Sequence, residues 1–543
     1  MTVTRTSLVL ISAFVLAGTI ALPRDATAQR TKKIDSRITE VEEELSLLRD
    51  VAGDAAHTAS DAKKQLEALE LELKELRGET KKDVDAVSKS VEASGAAMGK
   101  QGERLDAVEG GIKGIHEELE KRRIDFTAQI RVRPQYITNT RNFRSDLDED
   151  QDLFFNQRVR LGIGVKPVDF MGAFIQLQDV RTFGTNSMVE DGSNAARIHQ
   201  AYIKSSIPGG LELKVGRQEW AFGSERVIGN DDWTQMGRAF DGLDLTWTFK
   251  DYIVADALFA LLNERAAADG DDKLFGGLYL TSPILEPMAI DLYYLYHHDP
   301  RVGARRNFST LGGRLSGRLP WHKALLFDLE ATVQFGTVSE GDPGDQLSVE
   351  NSHFAAAYHV MFGYEIPVVT SPTIKAFFLS ASGDPNRSPV DPANNKHTAY
   401  LPLFPSSHVM LGRMDVFSQS NIWSAGTEVS LTPYKGVRVE LQYHYLALVD
   451  EYGDIPAGHG MVTQNREYPS AKDIGSEIDL SAVWDVNANF ALGGGYSVLL
   501  PGAAIEDQVR PEREVLEGDQ LRTYVYPGGD PAHWVWLQAD FRF

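Results

Sequence analysis

The stretch Phe327-Asp-Leu-Glu-Ala-Thr-Val-Gln-Phe335 alternates without a break. Phe327, Leu329, Ala331, Val333 and Phe335 fall on one face of an extended strand, and Asp328, Glu330, Thr332 and Gln334 on the other. The charged face cannot be a soluble core. It belongs in water, on a soluble sheet or inside a barrel. The pattern recurs upstream, with Val159, Leu161, Ile163 and Val165 against Arg158, Arg160, Gly162 and Gly164. Downstream it runs Val437, Val439, Leu441, Tyr443 and Tyr445 against Arg438, Glu440, Gln442 and His444.

The connections decide between the two settings. Short ones, such as 166–170, 208–210, 320–323 and 433–436, alternate with long polar ones, such as 139–151, 219–237, 383–418 and 449–472. Short turns at one end and long loops at the other are the outer-membrane pattern. The spacing predicts about eighteen strands between residues 123 and 543, an even number that leaves both barrel ends at the periplasmic side. At the C-terminus Val535, Leu537, Ala539, Phe541 and Phe543 alternate to a final aromatic, as in the assembly signal of bacterial outer-membrane proteins. Trp534, Trp536, Tyr252, Tyr293 and Tyr294 are candidates for the interfacial aromatic girdles.

The N-terminal part has a different period. Residues 1–28 read as a secretory signal: Arg5, an apolar core from Leu8 to Leu22, and Ala26-Thr27-Ala28 before the cleavage point. Residues 29–122 are charged and carry heptads, with Ile34, Val41 and Leu48 in one row and Ile38, Leu45 and Ala52 in the other. A four-residue stutter through Thr80 shifts the register, and Gly95, Gly99, Gly110, Gly111 and Gly114 weaken the second half. Such a stripe needs a partner. The expectation is a periplasmic coiled coil that oligomerises the protein through residues 33–121, with an intramolecular hairpin near 95–102 as the alternative. The fold class expected is therefore an all-β transmembrane antiparallel β-barrel preceded by an α-helical coiled coil.

Composition removes several functions. The 543-residue chain has no cysteine, which excludes disulfides and thiolate metal or redox chemistry. Its net charge of -22 opposes binding to nucleic acid. No catalytic constellation and no Gly-x-Ser-x-Gly elbow appears, and His297-His298-Asp299 lacks a further ligand at metal spacing. The expectation is a protein that is not an enzyme and needs no cofactor.

Parity selects the residues facing the channel: Arg131, Arg133, Arg158, Arg160, Arg238, Arg314, Arg318 and Arg438 all fall off the apolar phase. Asp328 and Glu330 lie on the strand after Arg314 and Arg318, so some of these arginines are expected to be cross-strand struts.

Between Lys214 and Leu245 the order is Gly216-Arg-Gln-Glu219, Gly223, then Gly229-Asn-Asp-Asp-Trp233, then Gly237-Arg-Ala-Phe-Asp241. This order of glycines and charges resembles the signature of the alginate export family, bacterial outer-membrane β-barrels that pass an anionic polysaccharide. Recognisable motifs run from Phe126 to Asp244. The resemblance implies that Asp179, Arg181, Arg217 and Asp241 also line the constriction, although parity sets them beside the apolar Leu177, Val215 and Leu243. The N-terminal coiled coil departs from the family and resembles the periplasmic helices of some trimeric porins.

The function expected is an outer-membrane channel for an anionic solute, such as an acidic polysaccharide like alginate. Two alternatives are a trimeric general or small-anion porin and a structural tether between the outer membrane and periplasmic layers. Outer-membrane lipid is the expected surrounding. Lipopolysaccharide is an expected partner; the acidic long loops, such as 146–152 and 340–345, are read first as solvated loops, with bridging to lipopolysaccharide through divalent cations as the alternative.

Overall fold

The alternation seen at Phe327–Phe335 is realised in a closed barrel in a computed structural model of the chain. The structure describes residues 36–47, 64, 67–79, 81–82, 85 and 88–89, and residues 123–543 without 141–142, 144–150, 185–195, 251, 265–271, 284–285, 302–304, 340–349, 386–395, 409, 452, 457, 459–470, 510–511, 518–519 and 526–528. The contacts divide the chain into two units, 1–118 and 119–543.

The barrel opens with β1 (Ile124–Thr138), β2 (Gln151–Val168), β3 (Met171–Thr182), β4 (Arg197–Ile207) and β5 (Leu211–Gln218). It continues with β6 (Phe240–Phe249), β7 (Ile253–Asn263), β8 (Lys273–Ser282), β9 (Met288–Asp299) and β10 (Arg306–Leu319). Then come β11 (His322–Ser339), β12 (Glu350–Glu365), β13 (Thr373–Ala381) and the two-residue β14 (Lys396–His397). The last wall strands before the end are β15 (Ile422–Tyr434), β16 (Val437–Leu448), β17 (Asp473–Asn487) and β18 (Phe490–Pro501). A hairpin of β19 (Glu512–Glu517) and β20 (Gln520–Val525) forms its own sheet before β21 (Ala532–Arg542). The main sheet has nineteen strands; without β14, which adds in parallel to β12, eighteen antiparallel strands form the wall. β1 pairs with both β2 and β21, so the ring closes, and each of Ala128 and Phe543 donates its backbone N–H to the other's carbonyl. Closure leaves no wall edge unpaired, which is what a lipid-facing sheet requires.

Burial follows the pleat. Leu161 is 55 % exposed and Ile163 47 %, whereas Arg158 and Arg160 just before them are buried. The exposed phase is the apolar band that meets lipid. The eight tight turns, from 168–171 to 487–490, share one end with the strand termini Ile124 and Arg542, and the nine long connections lie at the other. Parity also corrects the girdle assignment. The alternation that turns Val535 and Leu537 outward turns Trp534 and Trp536 inward, where both are buried, and Tyr293 is buried by the same rule. Tyr252 and Tyr294 remain exposed.

Two long loops, 219–239 and the described part of 382–421, fold into the barrel instead of standing above it. Val227, Ile228 and Trp220 of the first pack with wall residues Phe240, Leu258, Phe275 and Leu295. Leu411, Val416 and Phe417 of the second pack with Leu379, Ile422, Leu446 and Ile474. Burial of each such side chain stabilises by about 1.5–3 kcal/mol. The loops are therefore fixed by small hydrophobic cores inside a barrel whose wall alone has none.

In the N-terminal unit residues 36–47 and 67–79 are helical. Val41 and Leu45 are buried, and Arg37–Glu72 and Arg77–Glu42 ion pairs at 3.5 and 3.0 Å join the two stretches. These contacts are within one chain. Residues 64, 81–82, 85 and 88–89 are also helical; the remainder of the expected coiled coil, and all of the expected signal at 1–28, lie outside the described residues.

Candidate functional site

The loop 219–239 places Asp232 among the barrel arginines, with Glu219 also 3.4 Å from Arg160. Asp232 lies 3.1 Å from Arg131, 2.9 Å from Arg158 and 2.8 Å from Arg160. Arg131 and Arg158 also donate to the Asp232 carbonyl, and Arg133 donates to that of Trp233 while its guanidinium stacks 3.8 Å from the Trp233 ring centre. The loop can reach this position because its ends are tied: Arg238 N–H donates to Asn230 O, and Thr234 N–H to Asp231 O. Gly237 has φ +66°, and a Cβ there would lie 2.6 Å from an Arg160 nitrogen. Burial alone would raise the Asp232 pKa, but the three arginines outweigh it and hold the carboxyl below its ordinary value. It stays ionised as their counter-charge.

Arg238 has a different role. Its Nη1 donates to Gly229 O, Phe404 O and Pro405 O, at 2.9, 2.6 and 2.9 Å. It ties the two inward loops together.

Across the barrel the arginines border a cavity. A cavity of about 410 Å³ lies along the wall from β10 to β16, with Arg226, Arg314, Lys375, Arg413 and Arg438 facing Asp328, Glu428 and Glu440. Arg314 Nε donates to Asp328 at 2.8 Å. Arg226, from the 219–239 loop, lies 3.2 Å from Asp328 and 3.1 Å from Glu330. Lys375 pairs with Glu428 and Arg413 with Glu440, each at 2.8 Å. Arg438 is the least constrained: its side chain is 64 % exposed and only 3.9 Å from Glu440 at the nearest. Arg318 stands at the short-turn end, held by Glu365 and the Lys323 carbonyl.

Asp179, Arg181, Arg217 and Asp241 are not in the channel. Arg217 and Asp241 face each other across β5 and β6, form a two-bond pair at 2.7 and 2.6 Å, and share the exposed phase with Val215 and Leu243. Asp179 and Arg181 pair with each other on the phase of Ile175 and Leu177. This corrects the expectation carried by the resemblance. No bulge in β5 or β6 resets the phase, and both pairs neutralise themselves near the long-loop ends of their strands.

Sequence reading missed Asp232, Arg226, Arg413 and Lys375. The first three sit in loops, where strand parity has nothing to say. Lys375 shares its inward row with Phe377 and Leu379, which pack against His444 and the 382–421 loop, so the row does not read as polar. Among the described residues no group of three or more His, Asp or Glu side chains is placed to hold a metal ion.

A family model described as alginate export matches residues 122–518, well over half of the chain. The chain belongs to the alginate export family. The match extends beyond the motifs at Phe126–Asp244 to most of the barrel, and places this channel in the outer membrane. Comparison with curated proteins gives no match. Among solved structures the family member is similar to Pseudomonas aeruginosa OccK11 (OpdR), at 13 % identity and a TM-score of 0.46, covering 77 % of this chain and 96 % of that one. It is also similar to Acinetobacter baumannii OccAB3, at 10 % identity and a TM-score of 0.49, covering 77 % of this chain and 99 % of that one.

Proposed function

We propose that this barrel passes an anionic solute along the β10–β16 side of its lumen, and that the solute is a chain of acidic sugars such as alginate. The observation that carries this is the cavity with five basic side chains against three carboxylates. Arginine forks match carboxylates with two hydrogen bonds, and a narrow low-dielectric path strengthens each contact. The interleaved Asp328, Glu428 and Glu440 weaken each contact so that the solute is released to the next. The acidic exterior does not oppose this, because salt screens distant charges beyond about 8 Å.

A small-anion porin is the second reading. The inward loops favour it, since a cavity of about 410 Å³ is within the range of a single small-ligand site, about 300–1,000 Å³. Planar-bilayer recordings test both. The native protein is expected to prefer anions in reversal potential, and Arg438→Glu to move that preference toward cations. Oligouronate added to one side is expected to block the current at concentrations where a monomeric carboxylate does not; equal block supports the small-anion porin. Cation preference in the native protein overturns both.

We also propose that residues 33–121 oligomerise the barrel in the periplasm. The heptad rows support it, and a monomeric mass in detergent overturns it.

A further inference from the structure

The lumen holds a second cavity, of about 280 Å³, lined by Ser406, Ser407, Asp415, Ser418, Gln419 and Gly458. It lies toward the long-loop end, since Ser418 and Gln419 precede the first residue of β15 there, and Gly458 belongs to the long connection after β16. The larger cavity lies toward the short turns, with Lys375 in the third position of β13 and Arg438 in the second of β16. Both cavities are lined by His408 and Met410 of the 382–421 loop.

These two residues differ in how they are held. His408 has a left-handed backbone, φ 69°. Its N–H donates to Asp415 at 2.9 Å, and Nδ1 lies 2.6 Å from the other Asp415 oxygen. Its ring is packed 4.0 Å from Trp233 and 5.5 Å from Trp534, centre to centre. It is a fixed post. Met410 has no such ties. It is partly buried against the Leu411–Phe417 cluster, and an unbranched thioether changes rotamer readily.

We infer that the two cavities are successive chambers of one permeation path, and that Met410, closing against the fixed His408, sets the size of what passes between them. The assignment rests on the channel reading above and adds to it which residue limits the solute. The alternative route, along β1–β3 and β21, is filled by Asp232 and Trp233 between the arginines. A path beside His408 passes a movable side chain and not a buried ion-pair cluster.

The chain has no cysteine, so single thiols can be introduced without background. Met410→Ala is expected to raise single-channel conductance, and Met410→Trp to lower it, each by roughly twofold or more at a constriction. Ser418→Cys in one chamber and Gln442→Cys in the other are expected each to lose current on reaction with a negatively charged thiol reagent. These two positions are away from Met410, so they test the path even if a Met410 variant fails to fold. Native-like conductance in both folded Met410 variants overturns the role of Met410. Complete labelling of Ser418→Cys with unchanged current overturns the single path. An absence of any current from the native protein removes the channel reading itself, and this inference with it.

Discussion

The two sides of the lumen use the same residue type for opposite ends. On the β1–β3 side Arg131, Arg133, Arg158 and Arg160 are all buried, and the loop that carries Asp232 and Trp233 occupies the space a solute would take. On the β10–β16 side Arg314 and Lys375 pair with carboxylates of neighbouring strands, Arg226 and Arg413 reach wall carboxylates from the loops, and a cavity remains in front of them. Arginine content alone therefore does not locate the path. What matters is whether a loop fills the space in front of the arginines, as Asp232 and Trp233 do, or leaves a cavity there.

The sharpest way to break this contrast is Asp232→Asn. It leaves Arg158 with a neutral partner, while Arg131 keeps Asp540 at 3.1 Å and Arg160 keeps Glu219 at 3.4 Å. Removing one member of a buried pair costs about 3–5 kcal/mol, and the low end applies because Asp232 is itself 39 % exposed. The heat-modifiable gel shift is expected at a lower temperature than in the native barrel, and conductance is expected to rise as the loop leaves the wall. Unchanged conductance together with unchanged heat modifiability would mean that the loop is held by its apolar cluster alone.

Acid sharpens the same point with a smaller effect. The Asp232 carboxyl is held below its ordinary value when folded. Its contribution is therefore fully present above the unfolded carboxylate pKa of about 3.9, and is lost as pH falls through the lower folded value. Between pH 7 and pH 5 the clamp is expected to hold, with heat modifiability flat across that range; weakening belongs below pH 4. A loss of the clamp near pH 6 would contradict the ionised-carboxylate account.

The smallest effect is expected on the outer face. The double change Arg217→Gln with Asp241→Asn removes a pair whose side chains are 44 % and 52 % exposed. Exposed pairs contribute about 0–1 kcal/mol, and these residues lie outside the lumen. Ion selectivity should not move. A shift in reversal potential would return them to the channel and undo the two-sided picture.

Strand parity carried a large part of this molecule into view. Turn and loop lengths read from the chain match the observed wall, and the inward placement of Arg158, Arg160, Arg314 and Asp328 follows from alternation. Parity was also the better guide at Arg217 and Asp241, and at Trp534 and Trp536. In each case the expectation drawn from resemblance or from residue type was wrong, and the two-residue period placed the side chain. A strand has only two faces, and one of them must satisfy lipid, so the sequence by itself determines which side each wall residue takes.

The contents of the lumen were decided only by the tertiary structure. Nothing in the spacing of Asn230-Asp-Asp-Trp233 says that Asp232 reaches β1 and β2, whose arginines are about seventy to a hundred residues away in sequence. Nor does it say that Arg238 ties to Phe404 and Pro405. Loops have no period, and their course depends on which apolar side chains find partners after the barrel has closed. Ile228, Phe404, Leu411 and Phe417 acquire those partners from strands far apart in the chain. Charge type and facing are local properties written along each strand, whereas which arginines are blocked and which still face open space depends on long-range packing.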